Sequence, residues 1–292
     1  MKTILKKIFN PIVKIENESI SFKLGFWKSI GVLSLYLLLT VISMLMCALL
    51  FALFLPYESV DNMMGVILLL DVITMPLFLL ILSKVFGKKT YVINKHKKTN
   101  KKIIFQMALV VLSFRLIFDS LIGPILNLIP MDQSLVDTAE EMSNFILLML
   151  IAISIVAPII EEFIFRGIIL NGLLNKYSPS KSILISSLLF AAIHGNIHQG
   201  VNTFLLAVIF GYIFYKTRSI YLTILLHFFN NTIIFFLIEP TTTIGMVLNI
   251  IISCLIGSLI LVYLKKNMNL TYEQDLESTI KNDENLYFNE QI

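Results

Sequence analysis

The 292-residue chain is 57% hydrophobic and only 14% charged, against roughly 45–50% and about 25% in a soluble globular domain. That composition excludes an ordinary soluble enzyme and gives an all-α polytopic membrane protein. The net charge of +4 comes from lysines flanking apolar runs, with no aromatic-interleaved basic face, so no nucleic-acid partner is expected. Cys47 and Cys254 lie inside apolar runs, where they read as small hydrophobes and support neither a disulfide framework nor a thiolate metal site.

Residues 1–29 form a basic N-terminal segment. It mixes Lys2, Lys6, Lys7 and Lys14 with Ile4, Leu5, Ile8, Phe9 and Ile12, which suits a segment lying at an anionic inner membrane surface; a solvated basic tail is the bland reading. The first long apolar run is about 26 residues, too long for a signal-peptide core of roughly 7–15, and no cleavage site follows it, so it is expected to remain as a span.

Hydropathy places helices at Ile30–Leu55, Met63–Phe86, Ile103–Leu128, Phe145–Leu174, Ser182–His198, Val201–Tyr215, Tyr221–Leu237 and Ile244–Leu264. These eight group as three N-terminal helices (30–128), a central set (145–237) and a last helix (244–264), followed by a polar C-terminal tail (265–292) that reads as disordered. Lysines and Arg218 occupy alternate loops, including Lys88, Lys89, Lys97 and Lys98. The intervening loops carry Glu58, Asp61, Asp132, Asp137, Glu140, Glu141 and Glu239 without a lysine or arginine. The positive-inside rule then puts both termini in the cytoplasm. The fifth and sixth runs share only about 34 residues, roughly 25 Å each, so a re-entrant pair competes with two full spans. Pro158 is expected to bend the long fourth run.

Ionisable groups at membrane depth default to function. The stretch "VAPIIEEFIFRGIIL" holds Glu161, Glu162 and Arg166; elsewhere stand Asp71, Arg115, Asp119, His194, His198, His227, Asn230 and Asn231. Arg115 and Asp119 at i,i+4 read as a packing pair with Asp71 as a third member, and Glu162 with Arg166 repeats that spacing. Glu161 is left over, about 100° away around the helix. Counting helical rise puts Glu161, His227 and His194 at about 6, 12 and 18 Å from the inner boundary, with Asn231 one turn beyond His227 and His198 near the outer surface. A carboxylate that takes a proton from water, imidazoles that hold a metal or the water, and an amide that meets an oxyanion make a hydrolytic set. Singly, each histidine reads as a hydrogen-bonded residue inside a bundle.

Glu-Glu-x-x-x-Arg at 161, 162 and 166, Phe-x-x-x-His at Phe190 and His194, and His-x-x-x-Asn at His227 and Asn231 resemble the three motifs of the CPBP group. These are the CAAX proteases and bacteriocin-processing enzymes, also called the Abi family. The resemblance covers about 145–237 and implies an intramembrane endopeptidase, with or without a metal, whose site opens toward the cytoplasm. Carried over by position, Glu161 is the base, Glu162 with Arg166 orients it, and His194, His227 and Asn231 bind a metal or the oxyanion. Two alternatives stand: a glutamate-driven water, or a metalloprotease zinc held by His194 and His227 with Glu161 as ligand and Glu162 as base. The H-E-x-x-H helix of soluble zinc proteases is absent.

The implied partners are the lipid bilayer and a peptide or protein substrate; the oligomeric state stays open. The Ile-, Lys- and Asn-rich composition suits the cell membrane of a low-GC bacterium, where relatives act in peptide maturation, bacteriocin immunity and quorum-peptide systems. Competing functions are a non-catalytic immunity or regulatory module, and a proton-coupled transporter relaying through Asp71, Arg115, Asp119 and Glu161. Against the transporter, no interrupted helix pair recurs in two halves.

Overall fold

The computed structural model describes residues 9–54, 63–89, 101–236, 240 and 242–268. In lipid a helix satisfies its own backbone polar groups, and the apolar runs accordingly fold as helices. In chain order the elements are α1 Asn10–Glu16, β1 Ile20–Ser21, α2 Phe26–Phe54, α3 Met63–Phe86 and β2 Lys88–Lys89. Then come α4 Lys101–Leu121, a single turn α5 Gly123–Leu126, α6 Gln133–Ser143 and the long helix α7 Ile146–Leu174. The chain continues through α8 Pro179–Ala192, α9 Ile197–Thr217, α10 Ile220–Ile233 and α11 Thr243–Asn267.

Among the described residues α2, α4, α7, α9 and α11 are long and apolar enough to cross a membrane, while α8 and α10 are shorter apolar helices. Only 17% of the apolar window of α2 and of α11 is buried inside the protein, against 39% for α4 and α7. The first pair therefore presents most of its leucine and isoleucine surface outward, which in a membrane protein is the face for lipid. Helix α2 packs on α3, α4 runs along α11, α8 along α9, and α10 lies between α4 and the middle of α7.

Helix α7 is the axis of the core, and it departs from the regular α-helix in two places. Residues Ala152–Val156 and Phe163–Leu170 are wound as π-helix, flanking an α-helical piece at Ala157–Glu162. Pro158 removes a backbone N–H and its ring crowds the carbonyl four residues back. The adjacent wider turn absorbs that conflict, so the expected bend is expressed as a change of winding inside a continuous helix. Phe163, Ile164, Phe165, Ile168, Ile169 and Leu170 are fully buried around the second π segment.

Four sequence expectations change on folding. The N-terminal segment does not simply lie at the surface: Ile12 and Ile15 are 2% exposed, packed with α1 against α10, α7 and α3. Its isoleucines find a protein core, which excludes water as well as lipid does. Lys2, Lys6 and Lys7 lie outside the described residues. The run Ile103–Leu128 breaks after Leu121, where Gly123 and Pro124 interrupt helix hydrogen bonding. The acidic loop carries α6, whose start is capped by Asp132 accepting from Ser134 N at 2.9 Å and Oγ at 2.8 Å; these bonds hold the Asp132 carboxyl below its ordinary range. Finally, the fifth run ends at Ala192 rather than at His198, and the chain turns through Gly195 at φ +67°, a left-handed conformation that glycine takes without penalty. At 14 residues, α8 is about 21 Å long, short of the roughly 30 Å hydrocarbon core. The expected tail lies outside the described residues from 269 onward, as do residues 90–100 of the lysine-rich loop.

Close packing at α1 depends on Gly167, where an added Cβ would stand 2.8 Å from Ile15 Cδ1 and 3.0 Å from Ile220 Cδ1. Gly167→Ala is expected to destabilise the protein by about 1–3 kcal/mol through overpacking, read as a lower Tm in detergent.

Candidate active site

The α-helical piece of α7 between its two π segments carries Glu161 and Glu162, and Arg166 follows one turn later. Glu162 and Arg166 are fully buried at 0% and 1% exposure and bonded at 2.8 Å, Arg166 Nη1 to Glu162 Oε1. Arg166 is held further by Nη2 donating to the Ala207 carbonyl at 3.4 Å, and by the rings of Phe190 and Phe210, whose centroids lie 5.0 and 5.3 Å from the guanidinium carbon. A carboxylate, a carbonyl and two π faces offset the desolvation of an arginine that cannot shed its charge.

His227 on α10 stands between the two glutamates. Its Nδ1 is 2.8 Å from Glu162 Oε1, and its Nε2 is 3.7 Å from Glu161 Oε2. A carboxylate accepts, so Nδ1 carries the proton, and in the neutral ring Nε2 presents a lone pair toward Glu161. Two acceptors facing each other at 3.7 Å are too far apart for a direct hydrogen bond and suitably placed for one water that donates to both. Glu162 Oε2 is buried without a hydrogen bond among the described residues.

His194 lies in the turn after α8, at the position one turn beyond Phe190. Its Nδ1 meets the Phe190 carbonyl at 2.9 Å and its ring packs edge-on to Phe190 at 5.1 Å. The carbonyl fixes the Nδ1–H tautomer and leaves Nε2 free. Phe190 also approaches His227 at 6.0 Å, making it the apolar wall that Arg166, His194 and His227 share. His227, His194, Glu162 and Arg166 are the ionisable neighbours within electrostatic reach of Glu161. Asn231, one turn past His227, donates from Nδ2 to the Ile153 carbonyl at 2.9 Å and accepts from Asn230 Nδ2 at 3.0 Å. One of its two amide protons thus ties α10 to the first π segment of α7.

Other polar residues stay apart from this cluster. His198 Nε2 lies 3.1 and 3.0 Å from the Leu126 and Ile129 carbonyls, closing the turn after α5. Arg115 and Asp119 bond at 2.8 Å as the expected pair, with Asn202 on α9 accepting from Arg115 Nη1 at 3.4 Å. The Asp71 side chain lies outside the described residues. An apolar groove of about 840 Å³ opens between α4, α8, α9 and α11, lined by residues such as Phe114, Ile183, Ile209 and Leu261, and includes none of the motif residues.

Sequence reasoning misses Phe210, the Ala207 carbonyl and the Ile153 carbonyl, because an aromatic in an apolar helix and a backbone oxygen carry no signal of their own. It also divides the motif too sharply: Glu162 serves His227 as well as Arg166. As for zinc, no three His, Cys, Asp or Glu side chains converge as a metal site among the described residues.

Residues 143–233 match the family model described as type II CAAX prenyl endopeptidase Rce1-like. Among curated proteins, the putative membrane peptidase YdiL of Bacillus subtilis (strain 168) is 34% identical over 94 residues, 32% of this chain and 38% of the relative. The membrane-embedded CAAX protease MroQ of Staphylococcus aureus (strain USA300) is 27% identical over 158 residues, 49% of this chain and 62% of the relative. The chain thus spans less than two thirds of the length of either relative. No solved structure matches significantly. All three motifs fall inside the matched segment, on helices of a multi-pass membrane protein, and residues 143–233 are similar to an Rce1-like CAAX endopeptidase domain.

Proposed function

We propose that this chain is an intramembrane endopeptidase hydrolysing a peptide bond of a membrane-associated peptide or protein, with Glu161 as general base. The observation that carries the reading is the 3.7 Å approach of His227 Nε2 to Glu161 Oε2, with Nδ1 of the same ring engaged by Glu162. A water donating one hydrogen to each acceptor turns its lone pairs toward a substrate carbonyl. As its oxygen bonds to the carbonyl carbon, Glu161 takes the proton and delivers it to the departing amine when the C–N bond breaks. The second Asn231 amide proton, and His194 when protonated, are the donors available to the developing oxyanion. Arg166 neutralises Glu162, and Glu162 holds the His227 ring.

The orientation belongs to the same proposal: both termini and the lysine-rich loop 87–102 face the cytoplasm. Labelling intact cells from outside is expected to modify Asp137→Cys and to spare Lys97→Cys; the reverse pattern inverts the topology.

The test is cleavage of a panel of quenched-fluorescence peptides, prenylated and unprenylated, by the purified protein in proteoliposomes. Metal content is measured on the same sample. Wild type is expected to cleave, to survive a strong zinc chelator and to lose activity on Glu161→Ala. Stoichiometric zinc with chelator-sensitive cleavage would establish the metalloprotease alternative instead. An immunity or peptide-maturation phenotype that persists in cells carrying Glu161→Ala at normal abundance would favour the non-catalytic module.

A further inference from the structure

We infer that Glu16, in the N-terminal segment outside the matched domain, is a positioning residue for His227; this rests on the reading of His227 as part of the site. Glu16 is the last residue of α1 and is 9% exposed. Its Oε2 accepts from the backbone N–H of Ile220 at 2.8 Å and of Tyr221 at 3.4 Å, and its Oε1 accepts from the Ser219 hydroxyl at 2.8 Å. Ser219 is itself the N-cap of α10, its Oγ accepting from Leu222 N at 3.4 Å. A carboxylate supplied from 203 residues away in sequence thus completes the cap, binding N–H groups that have no partner within the helix and opposing the positive end of its dipole.

The position matters because α10 also carries His227. Ile220 and His227 are seven residues apart, two turns and about 10 Å along one helix face. At the capped end, the Ile220 side chain and Ile15 of α1 close over Gly167, the residue next to Arg166. Glu16 therefore sets the axial position of α10 against the very turn of α7 that presents Glu162 and Arg166. The 2.8 Å His227–Glu162 bond and the 3.7 Å gap to Glu161 both depend on that register.

Helix α1 holds Glu16 rigidly. Its C-terminus closes with Glu18 N bonding to Ile15 O at 3.0 Å and Ser19 N to Lys14 O at 2.9 Å, with Glu18 at φ +54°. That is the 5→2 and 6→1 pattern of a Schellman stop. Lys14 is exposed, whereas Ile12, Ile15 and Glu16 face inward, so α1 carries one inward polar side chain and aims it at α10.

The experiment compares wild type with Glu16→Gln in detergent micelles, using protein labelled at histidine. The chain has four histidines, so the ring signals of His227 and His198 can be assigned by substitution. Glu16→Gln keeps size but loses one acceptor and the charge. The expected result is a changed ring chemical shift for His227 with His198 unaltered, and, on a peptide that wild type cleaves, a kcat lower by on the order of tenfold or more at similar KM. Unchanged His227 signals, or equal changes at His227 and His198, would overturn the inference. If Glu16→Gln does not accumulate, the same spectra on Glu16→Asp, whose carboxylate is one methylene short, decide it by the same criterion. Cleavage that survives Glu161→Ala would defeat the proposed function alone, since the ring signals report the Glu16–His227 link independently of turnover.

Discussion

Glu161→Ala and Glu161→Gln are expected to remove peptide cleavage, by about 10²–10⁴-fold as for the loss of a general base, while membrane abundance and thermal stability stay close to wild type. Among the described residues Glu161 has no ion pair within hydrogen-bonding distance: the His227 ring lies 3.7 Å away, and the Glu161 side chain is 19% exposed, unlike the sealed Glu162. Removing it strands no buried charge, because His227 can remain neutral. The glutamine variant is the sharper test, since it keeps the volume and a hydrogen-bonding oxygen but cannot take a proton. Full cleavage by Glu161→Gln would show that another group activates the water. A large fall in abundance would show that Glu161 supports the fold.

Glu162 and Arg166 are expected to behave differently from Glu161 and from each other. Glu162→Ala leaves a fully buried guanidinium with one carbonyl at 3.4 Å and two ring faces. The expected loss is about 3–5 kcal/mol, the usual scale for breaking a buried pair from one side. Arg166→Ala should cost less. It leaves Glu162 beside His227 Nδ1 at 2.8 Å, and an imidazole can take up a second proton and compensate the carboxylate, whereas an arginine cannot release one. The double variant should be more stable than Glu162→Ala alone, and all three should lose activity: the two that lack Glu162 because His227 loses its anchor, and Arg166→Ala because a doubly protonated His227 no longer offers an Nε2 lone pair to the water. Tm in detergent and abundance of the three variants form a double-mutant cycle. Equal destabilisation by the two single substitutions would mean that His227 does not stand in for Arg166.

These two predictions divide a motif that is contiguous in sequence, and the division comes from burial and from α10. Helical spacing correctly pairs Glu162 with Arg166, because i,i+4 neighbours meet on any helix of roughly that winding. The same spacing suggests that Glu161 and Glu162 point into different surroundings. It cannot show that a histidine 65 residues later inserts between them and offers one ring nitrogen to each. His198 is separable from the site by depth alone, and the carbonyls of Leu126 and Ile129 hold it elsewhere. Hydropathy puts His194 on a continuous fifth helix; the turn at Gly195 leaves it instead at the end of a short α8, with a fixed tautomer.

Local properties determined the rest of what the sequence could yield. Mean apolarity over a window of about 20 residues is a sum over neighbours in the chain, so the membrane class, the helix positions and the polar residues at depth are all present in the linear order. Motif spacing is local too, and with the family resemblance it nominated Glu161, Glu162, Arg166, His194, His227 and Asn231 as candidates. Tertiary structure alone decided three things. Pro158 is accommodated by π winding rather than by a break, because the helix is locked in a closely packed core and an altered turn keeps it continuous. Arg166 is caged by Phe190 and Phe210, which come from two other helices and are indistinguishable in sequence from lipid-facing aromatics. The start of α10 is held by Glu16, because a helix N-terminus needs acceptors for its free N–H groups and the chain supplies one from its far end. Each depends on which surfaces meet, and that information lies in pairs of residues far apart in the chain.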